Sequence, residues 1–481
     1  MTTEVRLAAG KVRGTREDGL AVFRGIPFAE PPVGPLRFAA PRPVAAWEGV
    51  REAAQFGPPP PQAGFFGMDA LVRDSYDWLT VNVWSPDPGA RLPVLVWIQG
   101  GAYAIGMSGL PEYDGTRLAR DGVVVVTFNY RVGIEGFGQI AGAPANRGLL
   151  DQVAALEWVR DNIHAFGGDP ARVTIFGESA GGGSVAALMA MPRAAGLFHR
   201  AIAQSVPGPF FTPALAADIA AEFGPTDLDP YELSKAGDAL TARLAEYAPR
   251  WGLPAARGIP FAPVVDGDVL PTTPWAALAE GAGRGVDLVV GHTRDEHRLF
   301  MMMDGTLGAV TAEQAAAAEE QFAPGPYGDD LGPEQRYERV HSDWLFRMPS
   351  LHLAEAQVAG GGRAHLYELA WSGTLGACHG LDVPLVFGNL TEGGPSALIG
   401  GNPEAEELSA QMRAAWTAFA VTGDPGWPAY DAQRRSTRIF DRTPAVTAYP
   451  EETSRRVWQD HRFDPLPLLG APIGSGPQPA R

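Results

Sequence analysis

The pentapeptide Gly177-Glu178-Ser179-Ala180-Gly181 constrains this chain more than any other feature, because of what flanks it. Residues 173–176 are a short apolar run of the kind that forms a buried strand, and 184–191 read as a helix closed by Pro192. A serine between such a strand and helix sits at a sharp, strained turn, and small neighbours let the two elements approach without clashing. The turn also aims the Ala180 N–H outward at a helix N-terminus, where the dipole favours developing negative charge. With 59 glycines in the chain, the pattern alone arises by chance in about one chain in five of this composition. The flanking elements carry the reading.

The same rhythm extends along the chain. Residues 93–98 and 123–128 are continuous apolar runs suited to fully buried parallel strands. Leu149, Leu150, Val153, Leu156, Val159 and Ile163 repeat at helical spacing until Gly167-Gly168 and Pro170 stop them. Further strands are expected at 201–204, 286–290 and 365–369. Alternating strands and helices predict an α/β fold: an open, mostly parallel sheet with helices on both faces. The Ala-rich helical pieces 214–223 and 311–321, and the Pro/Gly-rich loop 323–333, read as insertions roofing a site. The expected organisation is one domain over 1–465, with inserted segments around 207–255 and 300–345 and a Gly/Pro-rich tail at 466–481.

The formal net charge of −17 excludes nucleic acid and anionic membrane surfaces as natural partners, since both require a cationic face. One cysteine, Cys378, excludes an intrachain disulfide. No leader-like apolar stretch opens the sequence and no run is long enough to span a bilayer, so the cytoplasm is the expected compartment. A monomer is the expected state.

A serine nucleophile needs a base within hydrogen-bond reach and an acid to orient it, following in the order Ser, Asp/Glu, His. Nine histidines compete for the base. His365 opens a strand, the wrong end for a site at the strand C-termini, whereas His379 falls in the loop after it. A histidine base predicts loss of activity on the acid side, with a midpoint near or somewhat below neutrality. For the acid, the loop Gly291-His292-Thr293-Arg294-Asp295-Glu296 follows the strand 286–290, and position alone does not separate Asp295 from Glu296. A metal reading of His292 and His297 lacks the helical His-Glu-x-x-His spacing. Gly100-Gly101-Ala102-Tyr103, after the strand 93–98, would let backbone N–H groups approach an oxyanion.

The segment Phe176-Gly177-Glu178-Ser179-Ala180-Gly181-Gly182 resembles the type-B carboxylesterases, a family that includes cholinesterases and bacterial para-nitrobenzyl esterases. The resemblance runs through Phe23-Arg24-Gly25-Ile26-Pro27-Phe28-Ala29-Glu30-Pro31-Pro32, Leu79-Thr80-Val81-Asn82-Val83-Trp84, Asn129-Tyr130-Arg131, Asn146-Arg147-Gly148-Leu149-Leu150-Asp151-Gln152 and Phe419-Ala420-Val421-Thr422-Gly423-Asp424-Pro425. It covers most of residues 5–445. It implies an α/β-hydrolase fold and a serine carboxylesterase acting on small-molecule esters without metal or organic cofactor. The implied triad is Ser179, His379 and Glu296, the second of the two adjacent acids, and the implied oxyanion hole is Gly101, Ala102 and Ala180. It also suggests a buried network joining Glu178 to Ser205. Two departures stand out: Gln99 occupies a position where His or Tyr is common, and Trp78 replaces a cysteine of the family's N-terminal disulfide. Phe65 and Phe66 read as acyl-pocket lining or as packing, and Cys378 as a small buried hydrophobe. The alternatives are an amidase, lactonase or carbamate hydrolase using the same triad, or a non-catalytic interaction domain. Members of that last kind typically lack the serine or the histidine, and here both are present.

Overall fold

Strands made of Val, Ile, Leu and Phe without polar alternation must be covered on both faces. The computed structural model, which describes residues 2–62, 75–328 and 330–470, builds its sheet from such strands. The strands of the described residues are β1 (Thr2–Arg6), β2 (Lys11–Glu17), β3 (Leu20–Pro27), β4 (Val50–Glu52), β5 (Thr80–Ser85), β6 (Leu92–Ile98), β7 (Val124–Phe128), β8 (Gly168–Glu178), β9 (Arg200–Gln204), β10 (Asp287–Thr293), β11 (Ala364–Leu369), β12 (Ser436–Phe440) and β13 (Ala445–Ala448). Their order is β1-β2-β3-β5-β7-β6-β8-β9-β10-β11-β12-β13, with β4 beside β2. From β7 to β12 every pairing is parallel; β1, β2, β3 and β5 at one edge and β13 at the other join antiparallel, and β4 lies parallel to β2. This is the expected α/β-hydrolase architecture.

Side chains of β6 show how the sheet divides two cores. Val94, Val96 and Ile98 enter one apolar cluster while Leu95 and Trp97 enter the other, as the two-residue period of a strand requires. Each fully buried Val, Leu or Ile contributes roughly 1.5–3 kcal/mol of transfer free energy, so this strand fixes the sheet between its two helical layers.

Some elements run longer than the sequence suggests. The strand expected at 173–176 spans Gly168–Glu178, and the helix expected at 184–191 is Ala180–Ala190, beginning four residues earlier. Gly181, Gly182 and Gly183 are poor helix formers, but tertiary contact demands them, as described below. The expected helices 311–321 and 214–223 appear as Ala312–Phe322, with Thr311 and Gln314 forming a capping box, and Pro213–Ala221. Phe65 and Phe66 lie outside the described residues. Among the described residues, no helix is long and apolar enough to cross a membrane.

The buried charged side chains of the segments around Arg131 and Arg147 are accounted for locally. Arg131 is fully buried and bonds Asp151 through two nitrogens, at 2.8 and 2.7 Å. Arg147 is buried too, donating to the carbonyls of Ile134, Glu135, Gly138 and Pro144. These two arginines stitch the start of the helix Arg147–Asn162 to the loop after β7.

Candidate active site

The elbow stands between β8 and the helix Ala180–Ala190, with Ser179 at φ 58° and ψ −126°. For a non-glycine residue this conformation costs of order 1–3 kcal/mol, so the surroundings must enforce it. They do so by close backbone approach. A Cβ on Gly181 would lie 2.0 Å from the Ile98 carbonyl oxygen, and one on Gly177 would lie 2.7 Å from the Gly181 backbone. The two glycines of the pentapeptide therefore let the helix press against the end of β6. Ser179 N–H donates to Gln204 O at 3.0 Å and its carbonyl accepts Gly183 N–H at 2.9 Å. Its side chain is half-buried and, among the described residues, has no hydrogen-bond partner.

The same end of β6 leads into Gly101, Ala102 and Tyr103, all at positive φ (109°, 53° and 58°). A Cβ on Gly101 would meet Ile105 O at 2.3 Å. Gly101 O accepts the N–H groups of Ala104 and Ile105, which turns the chain so that its own N–H and that of Ala102 have no acceptor among the described residues. With Ala180 N–H at the start of the following helix, the three expected donors lie around the elbow.

Sequence reading did not anticipate what holds this loop. Buried Gln62 donates to Gly106 O at 3.1 Å and accepts Gly106 N–H at 3.0 Å, and Tyr130 OH donates to Gln99 O at 2.6 Å. Gln99 is itself fully buried, and among the described residues neither atom of its amide has a partner. Support for the loop thus reaches Gln99 through its backbone carbonyl.

Of the two carboxylates left open by position, Glu296 is the one within reach of His379. Its Oε2 lies 2.6 Å from His379 Nδ1, while Oε1 accepts Ser205 Oγ at 2.6 Å and Thr293 N–H at 2.8 Å. Asp295 faces away, bonded to the Arg294 guanidinium and to Ala377 N–H. Asp295 N–H in turn donates to Ala377 O, and His379 N–H to Glu296 O. The acid loop and the histidine loop are thereby zipped together. The network expected between Glu178 and Ser205 is differently wired: Ser205 binds Glu296, and Glu178 Oε1 lies 3.2 Å from His379 Nε2. The adjacent positions of Glu178 and Ser179 on the elbow put the imidazole between the two acids.

The imidazole is buried, stacked on Phe346 at 4.1 Å and packed on Phe300 at 5.3 Å. Burial alone would lower its pKa, but Glu178 and Glu296 outweigh it and raise the group to about 9. Burial pushes Glu178 up to about 8 against the attraction of His379. The two groups titrate as a coupled pair: when Glu178 is protonated, the carboxylate's push on the imidazole is gone. Glu296 is held below the ordinary value despite burial, because His379, Ser205 and Thr293 N–H all favour its charged form. Asp382, three residues past the histidine, is buried on Gln204 and Tyr367 and raised by burial to about 6. Cys378 is buried, and burial with the charge of Glu296 raises its thiol to about 12, which leaves no thiolate at neutral pH. His292 goes to Thr293 O and Tyr449 OH, and His297 to Arg257. Among the described residues, no group of three His, Cys, Asp or Glu is placed to hold a metal.

A parallel sheet, a strained serine between strand and helix, and loops converging from the ends of β6, β10 and β11 define an α/β-hydrolase. The chain belongs to the Carboxylesterase family, whose sequence profile matches residues 1–458, and is a serine carboxylesterase. It is 40% identical over 480 residues to a para-nitrobenzyl esterase of Bacillus subtilis, covering 93% of this chain and 96% of that one. It is 36% identical over 468 residues to a fumonisin B1 esterase of Sphingopyxis macrogoltabida, covering 88% and 84%. Its structure resembles that of a Geobacillus stearothermophilus carboxylesterase at 36% identity, with a TM-score of 0.84, covering 95% of this chain and 100% of the other.

Proposed function

We propose that the enzyme hydrolyses small-molecule carboxylic esters through an acyl-Ser179 intermediate, with His379 as base, Glu296 as orienting acid, and the N–H groups of Gly101, Ala102 and Ala180 as oxyanion hole. The observation that carries this reading is the 2.6 Å contact of His379 Nδ1 with Glu296 Oε2, which leaves Nε2 toward the elbow. In the free enzyme Nε2 rests on Glu178, and substrate binding would shift it to Ser179 Oγ, as catalytic hydrogen bonds commonly tighten only in the complex. His379 takes the Ser179 proton as the hydroxyl attacks the carbonyl, and the oxyanion forms against the three N–H groups. Collapse expels the alcohol, which leaves with the proton from His379. Water then attacks the acyl-enzyme by the same route, releasing the acid and restoring Ser179.

In this reading residues 1–465 act as one catalytic unit, since the first and last strands belong to one sheet, and segments 207–255 and 300–345 roof the site. The test is covalent. A fluorophosphonate ester should label the protein at one equivalent, with the adduct on the peptide containing Ser179, and Ser179→Ala should lose both label and nearly all turnover of p-nitrophenyl butyrate. Label on another serine, or wild-type turnover in the alanine variant, sinks the assignment.

A further inference from the structure

The arginines buried among the described residues are otherwise matched to acceptors. Arg131 has Asp151, Arg347 has Asp343 and Glu451, and Arg147 has four carbonyls. Arg257 has neither. Its guanidinium meets His297 Nε2 at 2.9 Å and the Tyr337 hydroxyl, while its Nε is buried without a partner among the described residues. Asp304 attracts it only from beyond ion-pair distance. The two imidazoles beside it, His297 and His341, are pushed well below the ordinary value by burial and by Arg257 itself, so they stay neutral. A half-buried cation facing two neutral imidazoles, a phenol and the Phe322 ring at 5.9 Å has no carboxylate, and guanidinium donors are satisfied best by a carboxylate fork.

Its place in the fold connects this position to the reaction site. On one side, the His297 ring stacks on Phe300 at 5.4 Å, and Phe300 packs on His379 at 5.3 Å. On the other, four residues along the chain, Phe261 comes within 3.9 Å of where a Cβ on Gly133 would lie, and Gly133 N–H bonds Tyr103 O at the end of the oxyanion loop. Arg257 thus contacts the wall that holds the histidine, and the chain that carries it runs on through Phe261 to the wall that holds the oxyanion donors.

We propose that Arg257 is a specificity-determining residue that receives a free carboxylate of the substrate, so that the enzyme acts on esters bearing a second, ionised carboxyl group. The inference rests on the esterase mechanism above and deepens it by naming the substrate class.

The experiment compares matched pairs by pH-stat. On the acyl side, monoethyl esters of glutaric, adipic, pimelic and suberic acids are set against ethyl esters of fatty acids of equal length. On the alcohol side, 4-carboxybenzyl acetate is set against benzyl acetate. In the unmodified protein at least one carboxylate-bearing ester should match or exceed its neutral partner in kcat/KM. Arg257→Gln should lower that ratio by roughly 10- to 100-fold, the range expected for losing one charge-assisted contact. Arg257→Lys should retain part of it. Discrimination of 100-fold against every carboxylate-bearing ester in the unmodified protein overturns the proposal without needing any variant. So does a ratio unchanged by Arg257→Gln in both arms. Failure of the neutral esters themselves, with no turnover in the unmodified protein, would instead refute the esterase mechanism.

Discussion

Replacing Glu296 by Gln while leaving Asp295 in place tests the acid assignment through hydrogen-bond bookkeeping at one carboxylate. Glu296 accepts three donors: His379 Nδ1 on Oε2, and Ser205 Oγ and Thr293 N–H on Oε1. A glutamine has one oxygen to offer and must choose. If it keeps the oxygen on Thr293 and Ser205, its NH2 faces His379 Nδ1, and the ring must take the tautomer with the proton on Nε2. That tautomer cannot accept the Ser179 proton. If it turns the oxygen to His379, its NH2 opposes the fixed Thr293 N–H in a fully buried setting, which costs about 1–3 kcal/mol for the unmet donor. The first arrangement is favoured because it satisfies the backbone. The expected loss in kcat is then roughly 10³–10⁴-fold, the scale seen when a triad acid is neutralised and the wrong tautomer results. KM should move little, since Glu296 is sealed behind the ring. The parallel variant, Asp295→Asn, keeps His379's partner and loosens only the Arg294 and Ala377 contacts, so its kcat should stay within about tenfold of the parent. Initial rates with p-nitrophenyl acetate and butyrate give both parameters. A collapse in Asp295→Asn with Glu296→Gln near the parent would refute the reasoning, and near-parent kcat in both would place the acid elsewhere.

Two further outcomes follow from the buried charges. The acid limb of kcat/KM should have its midpoint above that of a free imidazole, higher than the near-neutral value expected from sequence, because Glu178 and Glu296 flank the ring; Glu178→Gln removes a carboxylate that raises His379, so the limb should move to lower pH, and an unmoved or upward-shifted limb contradicts the coupling of the two groups. Asp151→Ala leaves fully buried Arg131 without its carboxylate and should cost about 3–5 kcal/mol, measured by urea unfolding; a loss under about 1 kcal/mol would show that water reaches the site.

The sheet was legible because its strands are buried on both faces and therefore read as unbroken apolar runs, as in 93–98 and 123–128. The elbow was legible because an apolar strand and a helix flank it, where the pentapeptide alone would not have sufficed in a chain so rich in glycine. Helix starts were misjudged at the elbow itself, where three glycines in the first turn obey close packing against Ile98 and Gln204 and not helix propensity. The choice between Asp295 and Glu296 was open in the residues because neighbours on a loop share a position, and only the direction of each side chain distinguishes them. Gln62, Phe300, Phe346 and Arg257 gave no signal, since each acts through a contact across more than thirty residues with no local pattern to mark it.

The glycines that form the elbow also explain why the serine and the oxyanion loop belong to one rigid unit. Gly181 presses on Ile98, the last residue of β6, and the chain leaves β6 through Gln99 and Gly100 into Gly101 and Ala102. A Cβ on Gly100 would lie 2.8 Å from Glu178 O and 3.1 Å from Ser179 Cβ. In the proposed mechanism, nucleophile and donors are thus locked to each other by backbone contact, with no flexible side chain between them. Preorganised N–H groups stabilise an oxyanion most when nothing must move as charge develops, and here the strain at Ser179 and at Ala102 is maintained by the same strand end. His379 is held less tightly, between two acids and two aromatic rings, and its shift from Glu178 to Ser179 is the one rearrangement the mechanism asks of the site.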